Sequence, residues 1–137
     1  MRFTVFGKPT GKARPRVAGR HAYTPGRTRA YEALVQAAFL ENNPDVTPLH
    51  GPVQVDILAF YPIPKSCCKA LQVRMQNNEV APTVKPDWDN VGKIVCDALN
   101  GLAWKDDAQI VDAHVVKRYG VTPMVCVKIE EAGHENH

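Results

Sequence analysis

Apolar and polar positions alternate most regularly over residues 53–61. Val53, Val55, Ile57 and Ala59 fall on one side of an extended chain, and Gln54, Asp56, Leu58 and Phe60 on the other. A period of two predicts a strand, opened by Gly51-Pro52 and ended by Pro62 and Pro64. Elsewhere the spacing becomes helical. Tyr31, Leu34, Val35, Ala38 and Phe39 predict a helix over 27–41 with these residues inward. Thr24-Pro25-Gly26 offers it a cap and a first-turn proline, and Asn42-Asn43-Pro44 stops it. A second helix over 90–99 puts Val91, Ile94, Val95, Ala98 and Leu102 on one face and closes at Asn100-Gly101. Shorter apolar runs predict strands at 2–6, 110–119 and 124–129. Gly120-Val121-Thr122-Pro123 suggests that the last two form a hairpin. Residues 66–77 suit a short helix, 78–86 a loop, and 131–137 a tail that frays.

Length and composition narrow the class. The chain has 137 residues, 45% apolar and 23% charged, which suits one small globular domain over residues 1–137. No apolar run approaches the roughly 18 residues of a membrane span. Residues 1–6 are too short a run before Gly7-Lys8-Pro9 to be a secretory signal, so a cytoplasmic protein is expected. The four cysteines contain no Cys-x-x-Cys pair, which argues against a thiolate zinc site and for free, buried thiols.

Charge changes the picture more. The net charge of +3 hides an asymmetry: residues 1–30 carry eight bases and no acid. Lys8, Lys12, Arg14, Arg16 and Arg20 lie in the segment 8–20, broken by Pro9, Gly11, Pro15 and Gly19. That composition predicts an irregular extended arm without regular helix or strand, with Lys12, Arg14 and Arg16 pointing one way. Such an arm suits a polyanion, because neutralised phosphates release condensed counterions. The bland alternative is a solvated surface loop.

Candidate chemistry lies in Lys85-Pro86-Asp87-Trp88-Asp89-Asn90-Val91-Gly92-Lys93 and Lys105-Asp106-Asp107-Ala108-Gln109. Asp89, Lys93 and Asp97 follow at i, i+4 steps on the polar face of the second helix. Asp87 and Asp89 are two apart and, if extended, project to one side. Either can cap the helix or bind a cation at its start. Asp106 and Asp107 precede a strand and can be plain turn residues or further oxygen ligands. Gathered carboxylates repel one another unless a cation neutralises them, and Mg²⁺ prefers such hard oxygens. A lysine one turn beyond Asp89 can stabilise phosphoryl charge or orient water. It can equally form a surface ion pair with Asp97. Trp88 and Trp104 flank the acidic groups as core or cleft-wall residues, with stacking on a nucleobase a further use. No Walker loop, Gly-x-Ser-x-Gly elbow or histidine ligand spacing is present.

Taken together, Lys85–Lys93, Asp97-Ala98-Leu99-Asn100 and Trp104–Val111 closely resemble the RusA family of Holliday junction resolvases. Gly7-Lys8-Pro9, Lys12-x-Arg14-Pro15-Arg16, Tyr23-Thr24-Pro25 and Pro62-Ile63-Pro64-Lys65-Ser66 are similar to its phage and Gram-positive branch. Cys67-Cys68-Lys69-Ala70 departs from it, with fewer bases than that branch leads one to expect. The resemblance implies a small α/β domain of the α+β type, with a mixed or largely antiparallel sheet of about four strands and helices packed on it. It implies a Mg²⁺-dependent homodimer, with Mn²⁺ able to substitute, that cuts four-way DNA junctions by paired, symmetric nicks. By motif position, Asp87, Asp89 and Asp107 would be the metal-binding catalytic carboxylates and Lys93 the essential lysine. No membrane and no small-molecule cofactor is expected. Two other functions fit less of the chain. A DNA-binding module without catalysis would use the carboxylates only as caps. An Asp-x-Asp phosphohydrolase would need an apolar strand running into Asp87, where the chain has Glu79-Val80-Ala81-Pro82-Thr83-Val84-Lys85-Pro86.

Overall fold

The computed structural model describes residues 1–13, 16–18, 21–23 and 26–133, with side chains for 1–13 and 26–133. Among the described residues six strands and three helices follow one another: β1 (Arg2–Phe6), β2 (Arg16–Ala18), β3 (His21–Tyr23), α1 (Gly26–Asn42), β4 (Val53–Pro62), α2 (Lys69–Gln76), α3 (Trp88–Leu99), β5 (Ile110–Gly120) and β6 (Met124–Glu131). A 3₁₀ turn, Asp107–Gln109, leads into β5.

The main sheet has the order β1-β6-β4-β5, with β4 and β5 parallel and the other pairs antiparallel. It is therefore a mixed four-stranded sheet in a single small α+β domain, as the resemblance implies. The alternation in β4 is realised throughout: Val53, Val55, Ile57, Ala59 and Tyr61 are all buried. With Phe3, Val5, Val125, Val127 and Ile129 they form the face on which α1 and α3 pack. Burying side chains of this kind contributes about 1.5–3 kcal/mol each, which is what holds the helices to the sheet.

The expected hairpin of β5 and β6 does not form, because β4 lies between them. Every second residue of β6 from Val125 to Ile129 is buried, and the strand is paired along both edges, with β1 on one side and β4 on the other. By contrast β5 exposes Asp112, His114 and Arg118 and takes the edge. Strands two apart are roughly 10 Å from each other, a gap a three-residue link can cross. The crossing is tight: a Cβ on Gly120 would meet the Phe60 ring at 3.0 Å.

Three further expectations change. In α1 the buried stripe is Thr28, Tyr31, Val35 and Phe39, while Leu34 is 55% exposed. Leu34 lies about 100° round the helix from the centre of that stripe. Phe39 closes on Phe3 edge to ring at 5.6 Å. The arm is not free of regular structure: β2 and β3 pair antiparallel, with Val17 opposite Ala22. Pro15 and Gly19 bracket the three-residue strand β2 rather than interrupt it, so they leave its pairing intact. The tail does not fray from 131: Glu131 ends β6, and the Ala132 N–H donates to the Pro52 carbonyl at 2.9 Å. Arg14, Arg20, the Thr24-Pro25 cap and residues 134–137 lie outside the described residues, as does the side chain of Arg16. All four cysteines are free, but Cys68 is exposed and the other three are half-buried. Among the described residues no helix is long and apolar enough to cross a membrane.

Candidate active site

The site is organised by α3, which begins at Trp88, two residues earlier than its periodicity suggests. Asp87 thereby becomes the N-cap residue, with extended backbone, and Asp89 enters the first helical turn. The two carboxylates do not project from one extended segment as expected, since one precedes the helix and the other belongs to it. Asp87 makes no side-chain capping bond despite its position. Its carboxylate instead meets the Lys85 ammonium at 3.2 Å. Asp89 is exposed, at the end of the helix where backbone N–H groups favour negative charge.

The segment leading into Asp87 is held from below. The Lys117 ammonium of β5 donates to the Val84 carbonyl at 2.7 Å and lies 4.8 Å from the centre of the Tyr61 ring. The Tyr61 hydroxyl donates to the Pro86 carbonyl. Burial, with the Asp87 charge adding to it, pushes the Tyr61 phenol up to about 12, so it remains a donor. Neither residue stands out in the sequence. The one available signal is that Tyr61 places a hydroxyl on the inward side of β4.

Beyond its first turn, α3 presents Asp89, Gly92, Lys93 and Cys96 on one side. On one flank Gly92 faces β5, where an added Cβ would sit 3.2 Å from a Val115 methyl. On the other flank passes the start of the arm. The Lys12 N–H donates to the Asn90 carbonyl at 2.9 Å, and a Cβ on Gly11 would meet the Pro86 Cβ at 2.8 Å. The Lys12 ammonium pairs with Asp97 at 3.2 Å and Glu32 at 3.3 Å. Burial alone would lower its pKa, but those two carboxylates outweigh it and leave it raised. Asp97 thus pairs with Lys12 rather than with Lys93.

Asp106 and Asp107 separate cleanly. Asp106 caps the 3₁₀ turn: its carboxylate accepts from the Ala108 N–H at 3.3 Å, and the Gln109 side chain accepts from the Asp106 N–H at 2.9 Å. Gln109 also donates to the carbonyls of Leu49 and Gly51, at 2.8 and 2.9 Å. The spacing of Asp106 and Gln109 is the capping-box pattern, a signal the sequence does carry. Asp107 accepts a 2.8 Å bond from the indole of Trp104, which is fully buried. Trp104 is therefore core, whereas Trp88 is 63% exposed beside Asp87. Asp107 is near enough to Cys96 to help burial, the larger cause, push that thiol up to about 12.

Asp87 and Asp89 stand at the start of α3, and the Asp107 charge is felt at Cys96, a residue about 10 Å further along the axis from Asp89. Lys93 lies between Asp89 and Cys96 and is exposed. Among the described residues no three His, Cys, Asp or Glu side chains are gathered as a ligand cluster.

Two comparisons with known proteins bear on this site. The family model described as Endodeoxyribonuclease RusA matches residues 7–130, which contain every group just described. A protein of Bacillus subtilis (strain 168), the uncharacterized protein YqaN, is 37% identical over 137 residues, with 96% of each chain covered.

Proposed function

The chain belongs to the RusA family of endodeoxyribonucleases, and from that premise we propose that it resolves four-way DNA junctions by paired symmetric nicks, using Mg²⁺ and acting as a homodimer. The observation that carries the reading is Asp87. A carboxylate at a helix start that makes no capping bond and meets the exposed Lys85 ammonium, with Asp89 two residues on, offers hard-oxygen donors to a cation. Asp87, Asp89 and, by motif position, Asp107 carry hard oxygens of the kind a divalent metal takes; the three are not gathered into one cluster in this structure, and they would hold the metal once drawn together on binding. When bound, the cation supplies Lewis acidity at the phosphodiester. The exposed Lys93 ammonium balances the charge that develops on the phosphoryl oxygens or orients the attacking water. Trp88 offers an apolar face on which an unpaired base can stack. Lys8, Arg14, Arg16 and Arg20 would meet phosphates. Lys12, already paired with Asp97 and Glu32, contributes by holding the arm against α3.

The test is cleavage of a mobile four-way junction beside linear duplex of the same sequence, with and without Mg²⁺, for the wild type and Asp89→Asn. Paired nicks confined to the junction, needing Mg²⁺ and lost in the variant, are expected. The variant should bind the junction as well as the wild type or better, since a charge facing phosphate is gone. Metal-independent binding without cutting would replace this reading with a non-catalytic junction-binding module.

A further inference from the structure

The inward side of β4 is apolar at Val53, Val55, Ile57 and Ala59, and then carries one polar side-chain atom, the Tyr61 hydroxyl. Tyr61 is 2% exposed, and its hydroxyl is spent on the carbonyl of Pro86, the residue directly before Asp87. Lys117 stands on the neighbouring strand, opposite Ala59 and on the same side of the sheet. Its ammonium forms no ion pair among the described residues. It donates instead to the Val84 carbonyl at 2.7 Å and lies over the Tyr61 ring. Two adjacent strands thus send one donor each to alternate carbonyls of a single short segment.

That segment has little else to fix it. Thr83, Val84 and Lys85 are exposed, and among the described residues no backbone–backbone hydrogen bond involves residues 80–86. The consequence falls on Asp87. A peptide unit is planar, so holding the Pro86 oxygen also holds the Asp87 Cα at the far end of the same plane. On its other side, the Asp87 carbonyl accepts from the Val91 N–H at 3.1 Å in the first turn of α3. The main chain of Asp87 is thereby gripped from both directions, while its carboxylate makes no capping bond. A functional group works only when its support keeps it within about 0.5 Å of the productive geometry. We propose that Tyr61 and Lys117 are positioning residues of the cleavage site, which set where the Asp87 carboxylate stands and, through it, the site's hold on a divalent cation.

The effect on the cation rests on the nuclease reading, whereas the grip on the segment stands on the contacts alone. Loss of either donor frees the chain before Asp87 without removing a carboxylate. The cation must then order Asp87 as it binds, so its affinity falls, while contacts to DNA made elsewhere keep theirs. A residue that only supported the fold would lower the melting temperature and leave the metal affinity alone.

Two variants of the full chain test it. Tyr61→Phe keeps the ring and removes the hydroxyl, and Lys117→Met keeps the stem and removes the ammonium. The DNA-free protein is titrated with Mn²⁺ by electron paramagnetic resonance. Fluorotryptophan labelling and fluorine NMR then read Trp88, beside Asp87, separately from the buried Trp104. Each variant should weaken Mn²⁺ binding by about tenfold and shift the Trp88 resonance but not that of Trp104. Metal-free junction binding should be unchanged, and Lys117→Arg, which keeps a cationic donor, should stay near the wild type. Ile57→Val thins the core on the same strand and serves as the stability control, with both signals in place. Wild-type Mn²⁺ affinity in Tyr61→Phe and Lys117→Met would overturn the proposal, even with Trp88 shifted, because the hold would then be structural only. Weaker metal-free junction binding by Lys117→Met at wild-type Mn²⁺ affinity would also overturn it and make Lys117 a phosphate contact. The metal reading fails separately, if Asp87→Asn binds Mn²⁺ as the wild type does. The Trp88 shift alone then decides whether the two residues position Asp87.

Discussion

At the scale of single residues, adjacent aspartates have opposite duties. Asp106 caps a turn and Asp107 hangs from the Trp104 indole. Asp106→Ala should cost about 0.5–2 kcal/mol in a urea melt, the usual loss for a cap, and leave most junction cleavage intact. Asp107→Asn preserves the indole contact through its amide oxygen and should melt like the wild type while losing cleavage. The opposite pattern would exchange their roles. Lys12 is another residue whose duty differs from its appearance. Its charge reads as a phosphate contact, but its side chain is 18% exposed and paired with two carboxylates. Lys12→Met should therefore lower stability by about 1–2 kcal/mol, because Glu32 and Asp97 lose a charged partner. The salt dependence of junction binding should stay unchanged, whereas a lost phosphate contact would reduce it.

At the scale of elements, the site depends on how the arm crosses the start of α3. Gly11 is the point of closest approach, where a Cβ would strike the Pro86 ring at 2.8 Å and the Asn90 Cβ at 3.1 Å. Gly11→Val should detach the arm. The expected outcome is faster proteolysis within residues 8–20 and weaker junction binding, with the sheet's melting transition nearly unchanged. If the melt falls as far as for a core substitution, the arm is part of the core instead. Packing the same residue types in other places costs nothing comparable: Gly26 and Gly51 have no atom within 4 Å of an added Cβ.

For the whole molecule, ionisation links the site to stability. Burial, helped by neighbouring carboxylates at Tyr61 and Cys96, pushes Tyr31, Tyr61 and Cys96 to about 12 from ordinary values of 10.0, 10.0 and 9.0. Each group holds its proton in the folded chain after losing it in the unfolded one. Their contribution is complete below pH 9 and is lost as pH rises toward 12. Unfolding free energy should thus decline from about pH 9 upward. Cys96→Ala should flatten the first part of that decline, between about pH 9 and 10, and leave the tyrosine part. A slope unaltered in Cys96→Ala would show that the thiol titrates alike in both states.

Local physics is enough to read much of this protein from its residues. The alternation in β4, the apolar stripe of α3 and the Asn100-Gly101 stop are consequences of backbone period, which each segment carries within itself. The motif around Asp87, Asp89, Lys93 and Asp107 is likewise contiguous enough to point to the family. Tertiary structure decided what depends on distant partners. It put β4 between β5 and β6, paired with both, an order that the turn residues between β5 and β6 do not encode. It turned Leu34 outward, since the helix stripe is set by where β1 and α3 lie. It gave Lys12 to Asp97 and Glu32, tied Asp87 to Tyr61 and Lys117 through the segment before it, and told Asp106 from Asp107. All but the last rest on contacts between residues far apart in the chain; the capping box that sets Asp106 apart from Asp107 is short-range and has its spacing in the sequence.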